Sequence, residues 1–182
     1  AALWEDLLRK KGEDPLDPGG YFIINGTERV LISMEDLAPN RVTVEINKRY
    51  AKRTEVAKIF SQKDGMRKPL NVEKRRDGML MVKISTAGTT AIPVVLLMRA
   101  LGIENDQEVF QAIAGPTETF KYIVANLNEV NDNEEYTVQS MTEAHEWLQK
   151  KFAAGQQKEY REQRVNQLLD RELLPHLGDQ PE

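Results

Sequence analysis

The spacing of apolar residues changes once along the chain, near residue 93. Before that point the short apolar runs are broken by glycine, proline and asparagine. Residues 19 to 26 read Gly-Gly-Tyr-Phe-Ile-Ile-Asn-Gly. Tyr21 to Ile24 is short, aromatic and β-branched, which predicts a buried strand. Asn25-Gly26 is the preferred pair for a two-residue turn needing positive φ twice, and Val30-Leu31-Ile32 is the expected returning strand. Arg41-Val42-Thr43-Val44-Glu45-Ile46 alternates with period two, the pattern of a half-buried strand. Asp77-Gly78 predicts another hairpin, between Leu70–Lys74 and Met79–Ile84. Val56, Ile59 and Phe60 fit either a further strand or a helical turn.

After residue 93 the period becomes helical. Pro93 and Gly102 bracket Val94-Val95-Leu96-Leu97-Met98-Arg99-Ala100-Leu101, apolar nearly all round, which predicts a buried helix. Asn105 and Glu108 form a helix-start pair ahead of Val109, Phe110 and Ile113. Phe120, Ile123, Val124 and Leu127 keep the i, i+3, i+4, i+7 spacing. Ser140-Met141-Thr142-Glu143 is a capping box, with Met141, Ala144, Leu148 and Phe152 on one face behind it. A last helix is expected from about Gln156 to Leu174, ended by Pro175. At the other end, Leu3 to Lys10 reads as a short helix before a Pro-rich turn. Strands followed by helices, rather than alternating with them, predict an α+β fold.

Composition narrows the class. The 182 residues include 40% hydrophobic and 30% charged positions and no cysteine. That excludes disulfides and thiolate metal sites and fits a reducing compartment. No apolar run approaches the roughly 20 residues that span a bilayer, so no membrane partner is expected. The start lacks the basic-then-apolar order of a signal peptide. Its first residue is not methionine, which fits a processed product or a cut fragment.

The net charge of −4 hides an asymmetry. Residues 1 to 92 carry 17 basic and 13 acidic side chains; residues 93 to 182 carry 8 and 16. Within residues 41 to 76 there are 12 basic and 4 acidic groups. Such a local excess either attracts polyanions or serves as a solvated surface. Lys48-Arg49-Tyr50, Lys52-Arg53, Arg67-Lys68 and Lys74-Arg75-Arg76 fall beside expected turns, where contact residues tend to sit. Few aromatics accompany them, which argues against a stacking platform for single strands.

Catalytic motifs fail one by one. His145-Glu146-Trp147-Leu148-Gln149 begins like a zinc-protease helix, but the second histidine is a glutamine. Gly88-Thr89-Thr90 lacks the lysine of a phosphate loop. Asn131 to Glu135 lacks the spacing of a calcium loop and reads as a solvated turn. No residues assemble a nucleophile, a base and an oxyanion site. A binding or structural module is the better class.

Asp17-Pro18-Gly19-Gly20-Tyr21-Phe22-Ile23-Ile24-Asn25-Gly26-Thr27-Glu28-Arg29-Val30 closely resembles a segment of the second-largest subunit of archaeal and eukaryotic RNA polymerases. Thr27 stands where serine is more usual. Ile92-Pro93-Val94-Val95 with Arg99-Ala100-Leu101-Gly102-Ile103 resembles that family's buried helix. Leu173-Leu174-Pro175-His176-Leu177 resembles the end of its following helical part. The blocks share the family's order and spacing, so the resemblance covers nearly the whole chain.

The resemblance implies a connecting segment, 1–18, and a lobe domain, 19–182, β-rich over 19–92 and helical over 93–177. The archaeal version is favoured, and with it a cytoplasmic location; a eukaryotic version would be nuclear. In that family the lobe walls the DNA cleft beside the protrusion and offers an outer surface to transcription factors. Expected partners are DNA, other polymerase subunits and domains, and transcription factors. Candidate DNA contacts are Arg29, carried over from the family, and Lys48, Arg49, Lys74, Arg75 and Arg76 from the basic stretch. The alternative is a docking module without direct DNA contact. The parent's magnesium carboxylates belong to the largest subunit, and the second subunit's zinc site and nucleotide-contacting residues lie far C-terminal. This fragment is expected to bind no cofactor and to lack catalytic residues, although the parent is a nucleotidyltransferase.

Overall fold

The computed structural model describes residues 2–47, 54–84, 90–113 and 115–178. The chain divides into two units, Ala1–Leu37 and Ala38–Glu182. The first holds α1 (Ala2–Lys11) and a hairpin of β1 (Tyr21–Ile24) and β2 (Thr27–Val30). Asn25 and Gly26 have φ of 53° and 76°, the doubly positive pair that a type I′ turn requires. Asp17 anchors the entry to the hairpin. Its carboxylate accepts from the Gly19 N–H at 2.8 Å and from the Tyr21 hydroxyl at 2.5 Å.

Two expectations fail here. The strand Tyr21–Ile24 forms but is not buried: Ile23 is 70% exposed. Two paired strands have nothing to bury their side chains against unless a further layer covers them. The returning strand also starts earlier than expected, directly after the turn, and ends at Val30, leaving Leu31 and Ile32 outside it.

In the second unit, the described residues form one five-stranded antiparallel sheet in sequential order. Its strands are β3 (Val42–Asn47), β4 (Thr54–Lys63), β5 (Met66–Lys74), β6 (Leu80–Ile84) and β7 (Ala91–Pro93). Val56, Ile59 and Phe60, ambiguous in sequence, lie on β4. Asp64-Gly65 joins β4 to β5 with φ of 50° and 79°, a second type I′ pair between the partners Lys63 and Met66.

Helices follow: α2 (Val94–Ala100), α3 (Asp106–Ile113), α4 (Phe120–Asp132), α5 (Met141–Phe152) and α6 (Lys158–Gln167). The expected long last helix instead widens into a π-helical stretch, Leu168–Leu173, before a short 3-10 turn at Pro175–Leu177. The Ser140 cap forms, its hydroxyl accepting from the Glu143 N–H, but the Glu143 carboxylate accepts from the Gln139 N–H, one residue before the N–H that a reciprocal capping box uses.

The core explains why α2 is apolar all round. Leu96, Leu97 and Ala100 pack with Leu70, Val82, Ile84 and Ile92 of the sheet and with Leu148, Val165 and Leu168 of the later helices. Val95 joins a second cluster with Met79, Met81, Val109, Ile123 and Val130. A helix shared by two clusters has no face left for polar residues. Arg99, in its last turn, is buried with both terminal nitrogens engaged: they donate to the Val138 carbonyl, to the Asp106 carboxylate and to Asn131 Oδ1 at 2.8 Å, while its Nε has no hydrogen-bond partner. Asn131, read from sequence as part of a solvated turn, thus ends α4 inside this network.

Candidate nucleic-acid interface

A sequential antiparallel sheet brings alternate connections to the same end. The partners Asn47 and Thr54 close β3 onto β4 at the end where Lys74 and Leu80 close β5 onto β6. The β3–β4 connection carries Lys48 and Arg49 in sequence; both lie outside the described residues. The β5–β6 connection carries Arg75 and Arg76. Two basic segments far apart in sequence are therefore joined to one end of one sheet.

The β5–β6 turn is well held. The Arg75 N–H donates to the Met79 carbonyl at 2.8 Å, and the Gly78 N–H donates to the Arg75 carbonyl at 3.1 Å. Asn126 of α4, itself buried, grips the turn from the side. Its Oδ1 accepts from the Leu80 N–H at 2.8 Å and its Nδ2 donates to the Gly78 carbonyl at 3.0 Å. A buried amide that meets both a free donor and a free acceptor fixes the turn and satisfies itself.

The three cations of this turn are not equivalent. Lys74 donates to Glu55 at 2.8 Å and lies 4.6 Å from the centre of the Tyr122 ring. The hydrogen bond to Glu55 raises its pKa above the ordinary lysine value. Arg75 meets Asp77 at 3.5 Å with both side chains about half exposed, a weak pair in water. Arg76 is exposed and has no hydrogen bond or acidic partner among the described residues. Together with Ile46 and Glu55 these residues line a depression of about 300 Å³. The sequence pattern identified the basic residues but not this ranking, because Glu55 lies far from Lys74 in the chain.

Arg29 sits on β2 of the first unit, exposed and opposite Phe22. Both histidines are hydrogen-bonded within the fold. His145 Nε2 lies 2.9 Å from the Ala100 carbonyl, which requires it to donate. His176 Nδ1 lies 2.8 Å from the hydroxyl of the fully buried Ser61, which also accepts from the His176 N–H. Trp147 Nε1 donates to the Glu135 carbonyl at 2.8 Å. Among the described residues no group of three or more His, Cys, Asp or Glu side chains could hold a metal ion, and no helix is long and apolar enough to cross a membrane.

Residues 38–182 match the family model described as RNA polymerase Rpb2, domain 2. The match begins at the boundary between the two units. The chain is also 46% identical over 175 residues to the DNA-directed RNA polymerase subunit Rpo2N of Halobacterium salinarum, covering 96% of this chain and 32% of that protein. Subunit Rpo2N of Methanocaldococcus jannaschii is 45% identical over 92% of this chain and 33% of its own length. Subunit Rpo2 of Saccharolobus solfataricus is 39% identical over 97% of this chain and 15% of its own. The chain thus spans about a third of the Rpo2N relatives and a smaller part of the Rpo2 one. On the match over residues 38–182, the chain belongs to the RNA polymerase Rpb2 domain 2 family.

Proposed function

We propose that this chain is the lobe portion of an archaeal DNA-directed RNA polymerase second-largest subunit, acting in the cytoplasm, and that it walls the DNA cleft. Its contact with DNA runs through the sheet end that carries Arg75 and Arg76. The observation that supports this reading is the shared end. The Lys48-Arg49 connection and the Lys74-Arg75-Arg76 turn join strands there, and Asn126 braces the turn in place. Lysine and arginine contacts to phosphate position a protein on DNA without reading sequence. Arg76 is the strongest single candidate, since it has no competing acid among the described residues. Arg75 follows, and Lys74 supports the turn more than it reaches outward.

The parent enzyme supplies the chemistry; this chain contributes a wall. A patch this small neutralises few phosphates, and the acidic helical half repels the same polyanion, so the free chain binds DNA weakly. Fluorescence anisotropy of a labelled duplex tests this. The expected binding is non-specific and falls steeply with salt. The salt slope should drop by about one for each phosphate contact removed in Arg75→Ala/Arg76→Ala. An unchanged slope would remove DNA from this surface and give first place to docking of transcription factors or neighbouring subunits.

A further inference from the structure

The start of α4 lies against the basic turn between β5 and β6. A Cβ at Gly78 would meet Tyr122 Cδ1 at 3.8 Å, an ordinary contact. The Tyr122 carbonyl accepts from Asn126 Nδ2 at 2.8 Å, and the same nitrogen holds the Gly78 carbonyl. One buried amide therefore ties the turn to this part of the helix. The Tyr122 ring itself is not buried: the residue is 40% exposed.

Two ammonium groups meet at this ring. Lys74 Nζ, from the strand, lies 4.6 Å from its centre, and Lys121 Nζ, from the helix, lies 5.1 Å from it. The negative face of an aromatic ring attracts a cation. The two lysines differ in what else they hold. Lys74 is also paired with Glu55. Lys121 is exposed and has no hydrogen bond or acidic partner among the described residues. The ring thus gathers an unpaired cation of the helix to the turn that carries Arg75 and Arg76. Lys121 lies far from the basic stretch in sequence, and only the fold brings it there.

We infer that Lys121 is a further phosphate contact of the DNA-facing surface, and that Tyr122 is the residue that positions it. This rests on the reading of the Arg75-Arg76 turn as a DNA contact and carries that surface from the sheet onto α4. A lysine stem is flexible, and an ammonium already held against a ring gives up less freedom when it meets a phosphate. Glu55 neutralises Lys74, so the charge left at the ring for an outside anion is that of Lys121. Lysine meets phosphate without reading sequence, so the added contact strengthens grip and not selectivity.

The test is fluorescence anisotropy of the full chain on a labelled duplex across a range of salt. Lys121→Gln should lower the salt slope by about one. Tyr122→Leu removes the ring but no charge, so it should weaken binding about two- to fivefold while keeping the parent's slope. Tyr122→Phe keeps the ring and should bind as the parent does. Lys121→Gln changes only an exposed side chain, so the test does not depend on how well Tyr122→Leu folds. The inference is overturned if Lys121→Gln keeps the parent's slope, if Tyr122→Leu binds as tightly as the parent, or if Tyr122→Phe loses as much as Tyr122→Leu. If Arg75→Ala/Arg76→Ala lowers the slope while Lys121→Gln does not, this inference alone falls. If neither lowers it, the DNA reading falls with it.

Discussion

Asn126 holds the Gly78 carbonyl at 3.0 Å, so a buried helix residue sets the position of an exposed basic turn 48 positions earlier in the chain. The same amide caps the Leu80 N–H at 2.8 Å. Asn126→Ala leaves both backbone groups of the turn without their partner and should cost about 1–3 kcal/mol. Urea unfolding measures this. Asn126→Asp keeps the acceptor for Leu80 but loses the donor to Gly78, so it too should destabilise. A stability equal to the parent's in both variants would show that the turn holds itself.

Arg99 should matter more than its exposed partner. Its side chain is 2% exposed and that of Asp106 is 48%. Arg99→Ala removes three donor contacts and leaves a cavity in the two-cluster core, an expected loss of about 3–5 kcal/mol. Asp106→Asn keeps a hydrogen-bonding oxygen and stays half in water, so about 1 kcal/mol is expected. Thermal unfolding of the two variants gives the order directly; equal effects would contradict it.

Much of this architecture was legible in the sequence. Asn25-Gly26, Asp77-Gly78, the helix cap at Ser140 and the all-apolar run at Val94 each imply local geometry with a single reading. Asp64-Gly65 carries the same turn signal as Asn25-Gly26, and it closes the strand that holds Val56, Ile59 and Phe60. The burial of Tyr21–Ile24 was not legible, because strand chemistry fixes conformation while burial depends on what covers the strand. The candidate site was half legible. Residue types marked Lys74, Arg75 and Arg76, but only the fold pairs Lys74 with Glu55 and joins the Lys48-Arg49 connection to the same sheet end. Asn126 carried no signal, since an asparagine inside a helical pattern does not announce the turn that it holds.

Hydrogen exchange should separate the two units. The β1–β2 hairpin exposes Phe22, Ile23, Ile24 and Val30, and two strands alone are marginally stable. Its amides should exchange far faster than those of β5 and β6, whose Leu70, Val82 and Ile84 are buried. Equal protection in both would mean that the hairpin is covered as firmly as the core.

The Asp17–Tyr21 hydrogen bond predicts opposite titration shifts. It lowers the Asp17 pKa below the ordinary carboxylate value, and it raises that of Tyr21 above the ordinary phenol value. Asp17 therefore lends stability that is present above its unfolded pKa and lost as pH falls through the lowered folded one. Tyr21 lends stability that is fully present below its unfolded pKa, near 10, and lost as pH rises through the raised folded value. Ultraviolet titration should show a late-ionising phenol that disappears in Tyr21→Phe and shifts down in Asp17→Asn. Superimposable curves for parent and Asp17→Asn would refute the pairing.

The central claim is that the Arg75-Arg76 end of the sheet grips DNA in the assembled enzyme, where other domains already hold it at high effective concentration. The most direct measurement is the half-life of stalled elongation complexes of reconstituted polymerase under a salt challenge. Arg75→Ala/Arg76→Ala should shorten that half-life increasingly as salt rises, with nucleotide addition at low salt unchanged. Arg29→Ala should act in the same direction. If the double variant survives added salt just as the parent does, the basic turn is a solubilising surface and the DNA-contact account is wrong.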